Sequence, residues 1–476
     1  MNTCLVTTTI PYVNARPHIG FALELVQADT IARWHRARGD NVFFLSGTDE
    51  NAIKNVIVVK EEGLTPQELC DGLSGVFEQL IDRLDISTDG FIRTSSDQHH
   101  RGARKFYTAC RDHIEKRKYS GLYCVGCEDF CQEQDLDDGH CPIHRRSPEF
   151  VEEENYFFRL SRHTEQIKAR IESGACRILP ETRRNEALGF LNQGLQYFSI
   201  SRDISRSDGW GVRIPGDDKQ TLYVWFDALT NYVNALGYAD EDPDFIEFWK
   251  HADQIVHVFG KDVLKFQALY WPGLLSAAGL RQPTDLHIHG FLTVDGQKIS
   301  KSLGNAVDPF TVIDRYGADA LRYYLLRYVP TGSDSDFSHH HFSEVYESDL
   351  ANNLGNLVSR LEALAVKAEL SSVRHEPTDP PPGLEDARFH LTVADQWETL
   401  SDINRDIESK RPWEYLRAGD TLRLRETVTD WIRQLLGFSD KVAPFLPRTS
   451  EQIRSRFTQQ TISRGEPLFP RITSEA

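Results

Sequence analysis

Two short stretches of the sequence carry residues suited to binding a polyphosphate. In the first, His18 and Gly20 follow the apolar run at residues 4–6 and stand at the start of a helical pattern. The amide end of a helix binds phosphate through free N–H groups and the helix dipole, and glycine lets a ligand approach the backbone. In the second, Lys298 and Lys301 stand among small hydroxyl residues and form a cationic clamp. Alone, His-x-Gly is also typical of an ordinary strand-to-helix turn, so the pairing of the two stretches favours function.

A cluster of cysteines predicts a metal site. Four of the eight cysteines fall between residues 124 and 141. Cys124 and Cys127 form a CxxC knuckle, and Cys141 and His144 form a second knuckle, which together supply the four soft ligands of tetrahedral zinc. Cys131 stands outside this set. A site with four protein ligands is closed, so we expect the zinc to hold a small insertion together rather than to do chemistry.

A third candidate is Asp49, which follows the apolar run at residues 42–45 within Gly47-Thr48-Asp49-Glu50. The carboxyl ends of parallel strands are where doubly wound folds bind ligands. Asp49 is therefore a candidate to hold a substrate ammonium group. The alternative is that Asp49 caps the helix that follows.

The pattern of strands and helices that must position these residues predicts an α/β protein. We expect a doubly wound, Rossmann-like parallel sheet with a zinc-knuckle insertion and a C-terminal α-helical bundle. Residues 222–228 and 255–259 are predicted to be buried strands, and leucines recur at helical spacing from residue 350. The predicted divisions are the first half of the catalytic fold at 1–112, the insertion at 113–204, the second half with the lysine loop at 205–345, and the helical domain at 346–476.

Composition excludes several classes of protein. The 476 residues predict about three domains. The net charge of −17 argues against a general nucleic-acid binder, so any RNA must meet local basic patches such as residues 410–411. No apolar run reaches the ~18 residues that cross a membrane, and the N-terminus carries no signal pattern. We expect a cytoplasmic protein without a membrane partner.

The two phosphate-binding stretches resemble the two signatures of class I aminoacyl-tRNA synthetases. The surrounding sequence, at residues 10–20, 47–50 and 223–228, is similar to the methionyl-tRNA synthetase family, and the resemblance covers essentially the whole chain. It implies ATP-dependent ligation of methionine to a tRNA with a CAU anticodon, through an aminoacyl adenylate. ATP, methionine or an analogue, and tRNA are the implied partners, Mg²⁺ accompanies ATP, structural zinc lies in the insertion, and a monomer is expected.

The resemblance also assigns roles to individual positions. The catalytic residues are His18, Lys298 and Lys301. The ATP-binding residues are Gly20, Phe21, Gly260, Asp262, His289, Lys298, Ser300 and Lys301. The residues that bind the amino acid are Ile10, Tyr12, Asp49, Trp225, Ala228, Leu229, Tyr232, Val263 and Gln267. The anticodon is read by Asn356, Arg360 and Trp413. The residue types alone leave alternatives, since Trp225 and Tyr232 suit an apolar core, and the anticodon residues suit an ordinary surface beside a core Trp.

Three positions depart from the family pattern. Phe21 stands where the first signature has a second histidine, Asn51-Ala52 replaces the usual His-Gly, and Gln267 replaces a usual His in the amino-acid pocket. Loss of one hydrogen-bond donor to the transition state costs on the order of 10²–10³ in rate. Three hypotheses therefore stay open: a working synthetase with activity reduced by Phe21, a paralogue that activates a methionine analogue, and a catalytically impaired tRNA-binding or regulatory protein.

Overall fold

The structure is a computed structural model that describes residues 1–124, 129–131, 136–142, 145–294, 296–298 and 305–472. Within those ranges, the side chains of residues 60–62, 119, 129–131 and 298 are not described. The strands are β1 (Thr3–Thr7), β2 (Asn41–Thr48), β3 (Gly90–Arg93), β4 (Ile114–Cys124), β5 (Asp129–Cys131), β6 (Glu149–Phe158), β7 (Arg177–Leu179), β8 (Phe198–Ser199), β9 (Ser201–Asp203), β10 (Arg213–Ile214), β11 (Asp217–Leu222), β12 (Gln254–Gly260), β13 (Asp285–His289), β14 (Leu292–Val294), β15 (Gln297–Lys298) and β16 (Ser335–Phe337).

Helices surround and follow the strands. They are α1 (Ile19–Ala37), α2 (Ile53–Glu62), α3 (Pro66–Arg83), α4 (Asp97–Ala109), α5 (Thr164–Glu172), α6 (Glu181–Gln193), α7 (Val224–Leu229), α8 (Asn231–Asn234), α9 (Pro243–Phe245), α10 (Trp271–Ala277), α11 (Pro309–Tyr316), α12 (Ala318–Arg327), α13 (His339–Val345), α14 (Asn356–Lys367), α15 (Phe389–Lys410), α16 (Pro412–Ala418), α17 (Thr421–Val442) and α18 (Pro447–Thr458). Three π-helical stretches lie at Ile246–Lys250, Phe266–Tyr270 and Tyr346–Gly355.

A six-stranded parallel sheet forms the centre of the fold. Its strand order is β3-β2-β1-β12-β13-β7. The chain runs outward from β1 through β2 to β3 in one direction and from β12 to β13 in the other, with the earlier strand β7 at the far edge, so the order reverses between β1 and β12. Ligands bind beyond the carboxyl ends of the strands at such a reversal. The predicted α/β fold with a parallel sheet is confirmed.

Each face of the sheet is covered by its own apolar core. Cys4 and Val6 of β1 belong to the core shared with α1 and the C-terminal helices, and Leu5 belongs to the core on the other face. This alternation follows from the two-residue period of a strand. The first core continues as far as Phe469, so the C-terminal helices pack onto the same apolar body as α1. The predicted divisions of the chain remain predictions.

One predicted strand is wrong. Residues 222–228 are not a strand: β11 ends at Leu222, and α7 begins at Val224 after the extended residue Tyr223. A short apolar run has the same composition in a buried strand and in a buried helix, so its period does not separate the two. As a consequence, Trp225 and Ala228 lie one helical turn apart rather than on opposite faces of a strand.

Candidate functional site

The first phosphate-binding stretch lies at the N-terminus of α1. His18 is the N-cap residue, and its Nδ1 accepts a hydrogen bond from the Gly20 backbone N–H at 3.0 Å. A Cβ atom at Gly20 would lie 2.8 Å from His18 Cε1. Glycine is therefore required here because the imidazole folds back over the helix end. The sequence suggested that Gly20 lets a ligand approach the backbone, and the position of the His18 ring is a second reason for glycine here.

The protonation of His18 matters for this contact, because Nδ1 accepts a hydrogen bond only when it carries no proton. Residue 18 is exposed, and desolvation by the surrounding atoms lowers the pKa of its imidazole. The negative charge of Asp262 partly opposes that shift. At neutral pH the ring is thus neutral, and its far edge remains available to a ligand at the positive end of the helix.

Phe21 lies in the apolar core next to α3. Its side chain is 8% exposed and packs edge-on against Phe77 of α3, with ring centroids 5.4 Å apart. The residue that departs from the family signature therefore contributes to the core beneath α1. Its predicted contact with ATP stays a prediction.

A buried network that sequence reasoning missed lies one turn along α1. The Glu24 carboxylate accepts hydrogen bonds from the backbone N–H of Thr9 at 2.7 Å and from its Oγ1 at 2.5 Å. Its second oxygen lies 3.1 Å from Nε2 of His289, whose Nδ1 lies 2.8 Å from the Gly290 carbonyl oxygen. The sequence does contain one sign of this network, because Glu24 is a carboxylate in the middle of an apolar helical run.

Both ring nitrogens of His289 face acceptors, so the doubly protonated form satisfies both. Burial is the largest single influence and lowers the pKa of His289, but the hydrogen bond and charge of Glu24, the contact with Gly290 and the charge of Asp262 together outweigh burial, and the pKa is raised. A Cβ at Gly260 would lie 3.3 Å from the His289 ring and 2.8 Å from Asp262 Oδ1. Gly260, Asp262 and His289, which were predicted to bind ATP, are therefore brought together at the carboxyl ends of β12 and β13.

Asp49 follows the end of β2 beside the first stretch. Its backbone N–H donates to the Pro11 carbonyl at 2.9 Å, and its carbonyl accepts from Val13 N–H at 3.3 Å. Its Oδ1 accepts from Asn51 N–H at 3.2 Å and from Thr94 Oγ1 at 3.4 Å. The carboxylate is thus held by its own loop and by Thr94, which follows β3, next to the segment that leads into α1.

An aromatic group forms one wall beside Asp49. Trp225 stacks on Phe266 with centroids 3.8 Å apart and planes inclined by 2°, and Tyr12 meets Trp225 edge-on at 6.5 Å. Tyr12 and Trp225 pack, partly buried, against a small buried cluster that contains Ala52. The small side chain at position 52 therefore belongs to this wall.

A second group of predicted pocket residues includes polar side chains and is mostly buried. Gln267 donates from Nε2 to Tyr232 Oη at 2.7 Å, and its Oε1 is buried without a partner among the described residues. Tyr232 stacks on His257 with centroids 4.3 Å apart. Ala228 and Leu229 are also buried, while Ile10 and Val263 are partly buried against the same core.

His257 stacks on Tyr232 and holds its ring in place. Trp271 Nε1, which can only donate, lies 3.3 Å from His257 Nε2, so the proton of the neutral ring sits on Nδ1 and points to Thr7 Oγ1 at 2.6 Å. Burial lowers the pKa of His257 to about 3. The ring is therefore neutral, and it anchors the pocket to β1 and α10.

The second phosphate-binding stretch lies mostly outside the described residues. Ser300 and Lys301 are not described, and of Lys298 only the backbone is, in β15 opposite Thr293 of β14. Nearby, Lys261 forms an ion pair with Asp334 at 2.7 Å and lies over the Phe291 ring at 4.5 Å. The lysine clamp stays a prediction.

Half of the predicted zinc set can be described. Cys124 and Cys141 are 3% and 4% exposed, whereas Cys127 and His144 lie outside the described residues. Cys141 begins a tight turn in which its N–H donates to Arg146 and its carbonyl accepts from Arg145. Two buried thiols, one of them at such a turn, fit a soft metal. The described residues alone contain no group of three or more ligands that could hold a metal ion.

The predicted anticodon residues lie on the C-terminal helices. Asn356 and Arg360 are one turn apart on α14, with Asn356 exposed, and Arg360 forms an ion pair with Glu408 of α15 at 2.7 Å. Trp413, at the start of α16, is 37% exposed. The Arg360–Glu408 pair places α14 against the end of α15 from which Trp413 follows.

The fold and this site define a class of protein. A family model described as "tRNA synthetases class I (M)" matches residues 4–143 and 127–362. The class is therefore that of the class I tRNA synthetases.

Comparison with individual proteins gives the particular family. The methionine–tRNA ligase of Thermosynechococcus vestitus is 39% identical over 94% of this chain and 88% of its own length, and that of Thermotoga maritima is 36% identical over 99% and 80%. This chain belongs to the methionyl-tRNA synthetase family.

Solved structures agree with that assignment. Mycobacterium tuberculosis methionyl-tRNA synthetase in complex with methionyl-adenylate superposes with a TM-score of 0.91 at 33% identity, covering 99% of this chain and 100% of that one. The apo form of the same enzyme gives 0.84 at 31% identity, covering 99% of each chain. The backbone of this chain is thus more similar to the adenylate complex. Among the described helices, none is long and apolar enough to cross a membrane.

Proposed function

We propose that this chain catalyses the ATP-dependent ligation of methionine to a tRNA with a CAU anticodon, through a methionyl adenylate. The proposal rests on three features that lie together near the carboxyl ends of the central strands. They are the anion-binding end of α1, the carboxylate of Asp49 and the aromatic wall at Trp225. The phosphate, the ammonium group and the thioether of a methionyl adenylate need these three features.

The reaction has two steps. The methionine carboxylate attacks the α-phosphorus of ATP, a new P–O bond forms, and pyrophosphate leaves. A tRNA 3′-terminal hydroxyl then attacks the adenylate carbonyl, and AMP leaves. The chain contributes by positioning the reactants and by stabilising charge on the phosphates. His18 binds phosphate, Asp49 holds the ammonium group, and Lys298 and Lys301 neutralise the departing pyrophosphate.

Methionine-dependent ATP–pyrophosphate exchange tests the first step. We expect exchange in the wild-type chain and its loss in Lys298→Ala and Lys301→Ala, with Lys219→Ala, at an exposed position of β11, as the control. Unchanged exchange in both loop variants contradicts the clamp. No exchange with methionine, while tRNA binding is retained, contradicts the catalytic proposal.

Gln267 bears on the choice of amino acid. Since Gln267 already donates to Tyr232 Oη, its amide is oriented within the pocket rather than loose. Similarity to methionine–tRNA ligases over nearly the whole chain favours methionine over an analogue. An exchange panel that includes methionine analogues distinguishes them, and activity with an analogue alone contradicts this choice.

The insertion is proposed to hold structural zinc through Cys124, Cys127, Cys141 and His144, and Mg²⁺ is proposed to accompany ATP. The buried thiols of Cys124 and Cys141 support the zinc site. Purified wild-type chain should contain one equivalent of zinc, and Cys124→Ala should lose it. Cys176→Ala, at a buried cysteine outside the cluster, should retain it.

The C-terminal helices, with Asn356, Arg360 and Trp413, are proposed to read the anticodon. Asn and Arg one turn apart on α14 share a face, and an exposed Trp can stack on an unpaired base. In this proposal the residues after 346 have a separate function, although the apolar core is continuous across that position.

A further inference from the structure

A buried carboxylate joins two parts of the amino-acid pocket. Asp227 of α7 is fully buried, and its Oδ1 lies 2.9 Å from Nε2 of His99 on α4. Its Oδ2 accepts a hydrogen bond from Nδ2 of Asn51 at 2.7 Å. Hydrogen bonds to an ionised group in a buried setting are short and strong.

The two groups that donate to Asp227, on Asn51 and His99, are held in place by further hydrogen bonds. Nδ2 of Asn51 also donates to the Thr94 carbonyl at 2.9 Å, so both of its N–H groups are used. Nδ2 of Asn234 lies 3.3 Å from His99 Nδ1, which assigns Nδ1 as the acceptor and Nε2–H as the donor to Asp227. Helix α4 also lies very close to α8, because a Cβ at Gly102 would fall 2.0 Å from Asn234 Oδ1.

Asn51 and Asp227 belong to segments that hold opposite ends of the amino acid. The backbone N–H of Asn51 donates to Oδ1 of Asp49, the candidate anchor of the ammonium group. Asp227 lies in the same short helix, Val224–Leu229, as Trp225 of the side-chain wall. The Asn51–Asp227 hydrogen bond therefore ties the ammonium anchor to the thioether pocket.

We infer that Asn51 and Asp227, supported by His99, form a positioning clamp that sets the distance between Asp49 and Trp225 and thereby the affinity for methionine. Neither side chain needs to touch the substrate. The inference rests on the proposed function. It also gives a physical reason why Asn is accepted at position 51, since the amide supplies the donor that Asp227 requires.

The test separates positioning from general stability by comparing three variants in methionine-dependent exchange. In Asn51→Ala, KM for methionine should rise about 10- to 100-fold, as expected for loss of a hydrogen bond to a charged group, with KM for ATP within about twofold. Asn51→His, which restores a donor, should recover most of the loss. Asn55→Ala is the control, because Asn55 is also buried and donates to the Glu50 carbonyl rather than to α7.

The dissociation constant for methionine, from equilibrium dialysis without ATP, gives the second readout. It should rise in Asn51→Ala in parallel with KM. Unchanged affinity in Asn51→Ala, equal losses in Asn51→Ala and Asn55→Ala, or no recovery in Asn51→His overturns the clamp. If Asn51→Ala does not fold, Asp227→Asn takes its place, because an amide offers one acceptor oxygen to two donors.

The two readouts also separate this inference from the proposed function. A wild-type chain that binds methionine but shows no exchange contradicts the catalytic proposal, and binding by the variants then decides the clamp. A wild-type chain that binds no methionine overturns both.

Discussion

At the scale of single residues, Gly20 shows how one missing side chain positions another. The His18 ring occupies the space that a Cβ would take, at 2.8 Å from Cε1 and 2.9 Å from Nδ1. The ring can therefore cap α1 only while residue 20 is glycine. A displacement of about 1 Å in a group that positions a substrate can lower the reaction rate considerably.

We expect Gly20→Ala to slow methionine-dependent exchange by on the order of 10²-fold, because the imidazole must leave the helix end. The matched control is Gly189→Ala in α6, where an added Cβ meets no atom within 4 Å. Thermal melting should show both variants folded. Wild-type exchange in Gly20→Ala would contradict the positioning role of this glycine.

His287 is a second residue whose environment predicts behaviour in solution. It lines a cavity of about 300 Å³ between α1 and the sheet, and both ring nitrogens are buried without a partner among the described residues. Burial lowers the pKa of His287 to about 4 from an ordinary value of 6.5. The unfolded chain therefore takes up a proton at a higher pH than the folded chain does.

As a result, the contribution of His287 to the free energy of unfolding should fall as the pH drops from about 6.5 to about 4. The loss approaches roughly 3 kcal/mol, because each pH unit between the two pKa values is worth about 1.4 kcal/mol. Urea midpoints of His287→Leu should depend less steeply on pH over this window than those of the wild type. His251→Leu, at an exposed position, should keep the wild-type slope, and equal slopes in all three proteins refute the prediction.

At the scale of elements, Arg322 fastens α12 to α1 and to the turn after α17. Its guanidinium is fully buried, pairs with Asp29 of α1 at 2.7 Å, and donates to the Phe445 carbonyl at 2.7 Å and the Pro444 carbonyl at 3.1 Å. Burial is the largest single influence and raises the pKa of Asp29, but Arg322, Arg33 and the two hydrogen bonds from Ser87 together outweigh it and the pKa is lowered. The Asp29 carboxylate is therefore ionised at neutral pH beside the Arg322 guanidinium.

Removing one partner of a buried pair leaves an uncompensated charge, so Arg322→Met should lower the free energy of unfolding by about 3–5 kcal/mol. Arg433→Met is the control, since its pair with Asp430 is exposed and should be worth less than ~1 kcal/mol. Urea denaturation followed by circular dichroism compares the two. Equal midpoints would show that Arg322 does not hold these helices together.

At the scale of the whole molecule, two parts that are far apart in the sequence are proposed to serve one reaction. The chain carries a net charge of −17, so tRNA must be recognised through particular side chains rather than through overall attraction. Trp413 is one such side chain. It is 37% exposed and lies at the start of α16, just after the C-terminal end of α15.

We expect Trp413→Ala to raise KM for tRNA in aminoacylation by roughly 5- to 150-fold, the equivalent of about 1–3 kcal/mol for one stacked base. Methionine-dependent exchange, which needs no tRNA, should stay at the wild-type rate. Leu391→Ala, at another exposed apolar side chain of the helical region, should change neither activity. A fall in exchange in Trp413→Ala would mean that the substitution disturbs the fold.

Local patterns in the sequence were sufficient for much of this protein. The strands that end at Thr7, Thr48 and Gly260, the helix that begins at His18-Ile19-Gly20, and the helical region after residue 346 follow from apolar periodicity and turn residues. These features depend on neighbours a few residues away, so the sequence displays them directly. The family was also evident from short motifs, whose spacing the chemistry of the reaction constrains.

Only the tertiary structure decided which partner each buried polar group has. Glu24 meets His289 across 265 residues, Asn51 meets Asp227 across 176, and Asp227 meets His99 across 128. A carboxylate, an amide or an imidazole suits a surface or a core equally until its partner is known, because burial is favourable only when the partner is present. The prediction that Trp225 lies in a strand was wrong because a short apolar run suits a buried strand and a buried helix equally. In the structure Trp225 lies in α7 and contacts Phe266 and Tyr12.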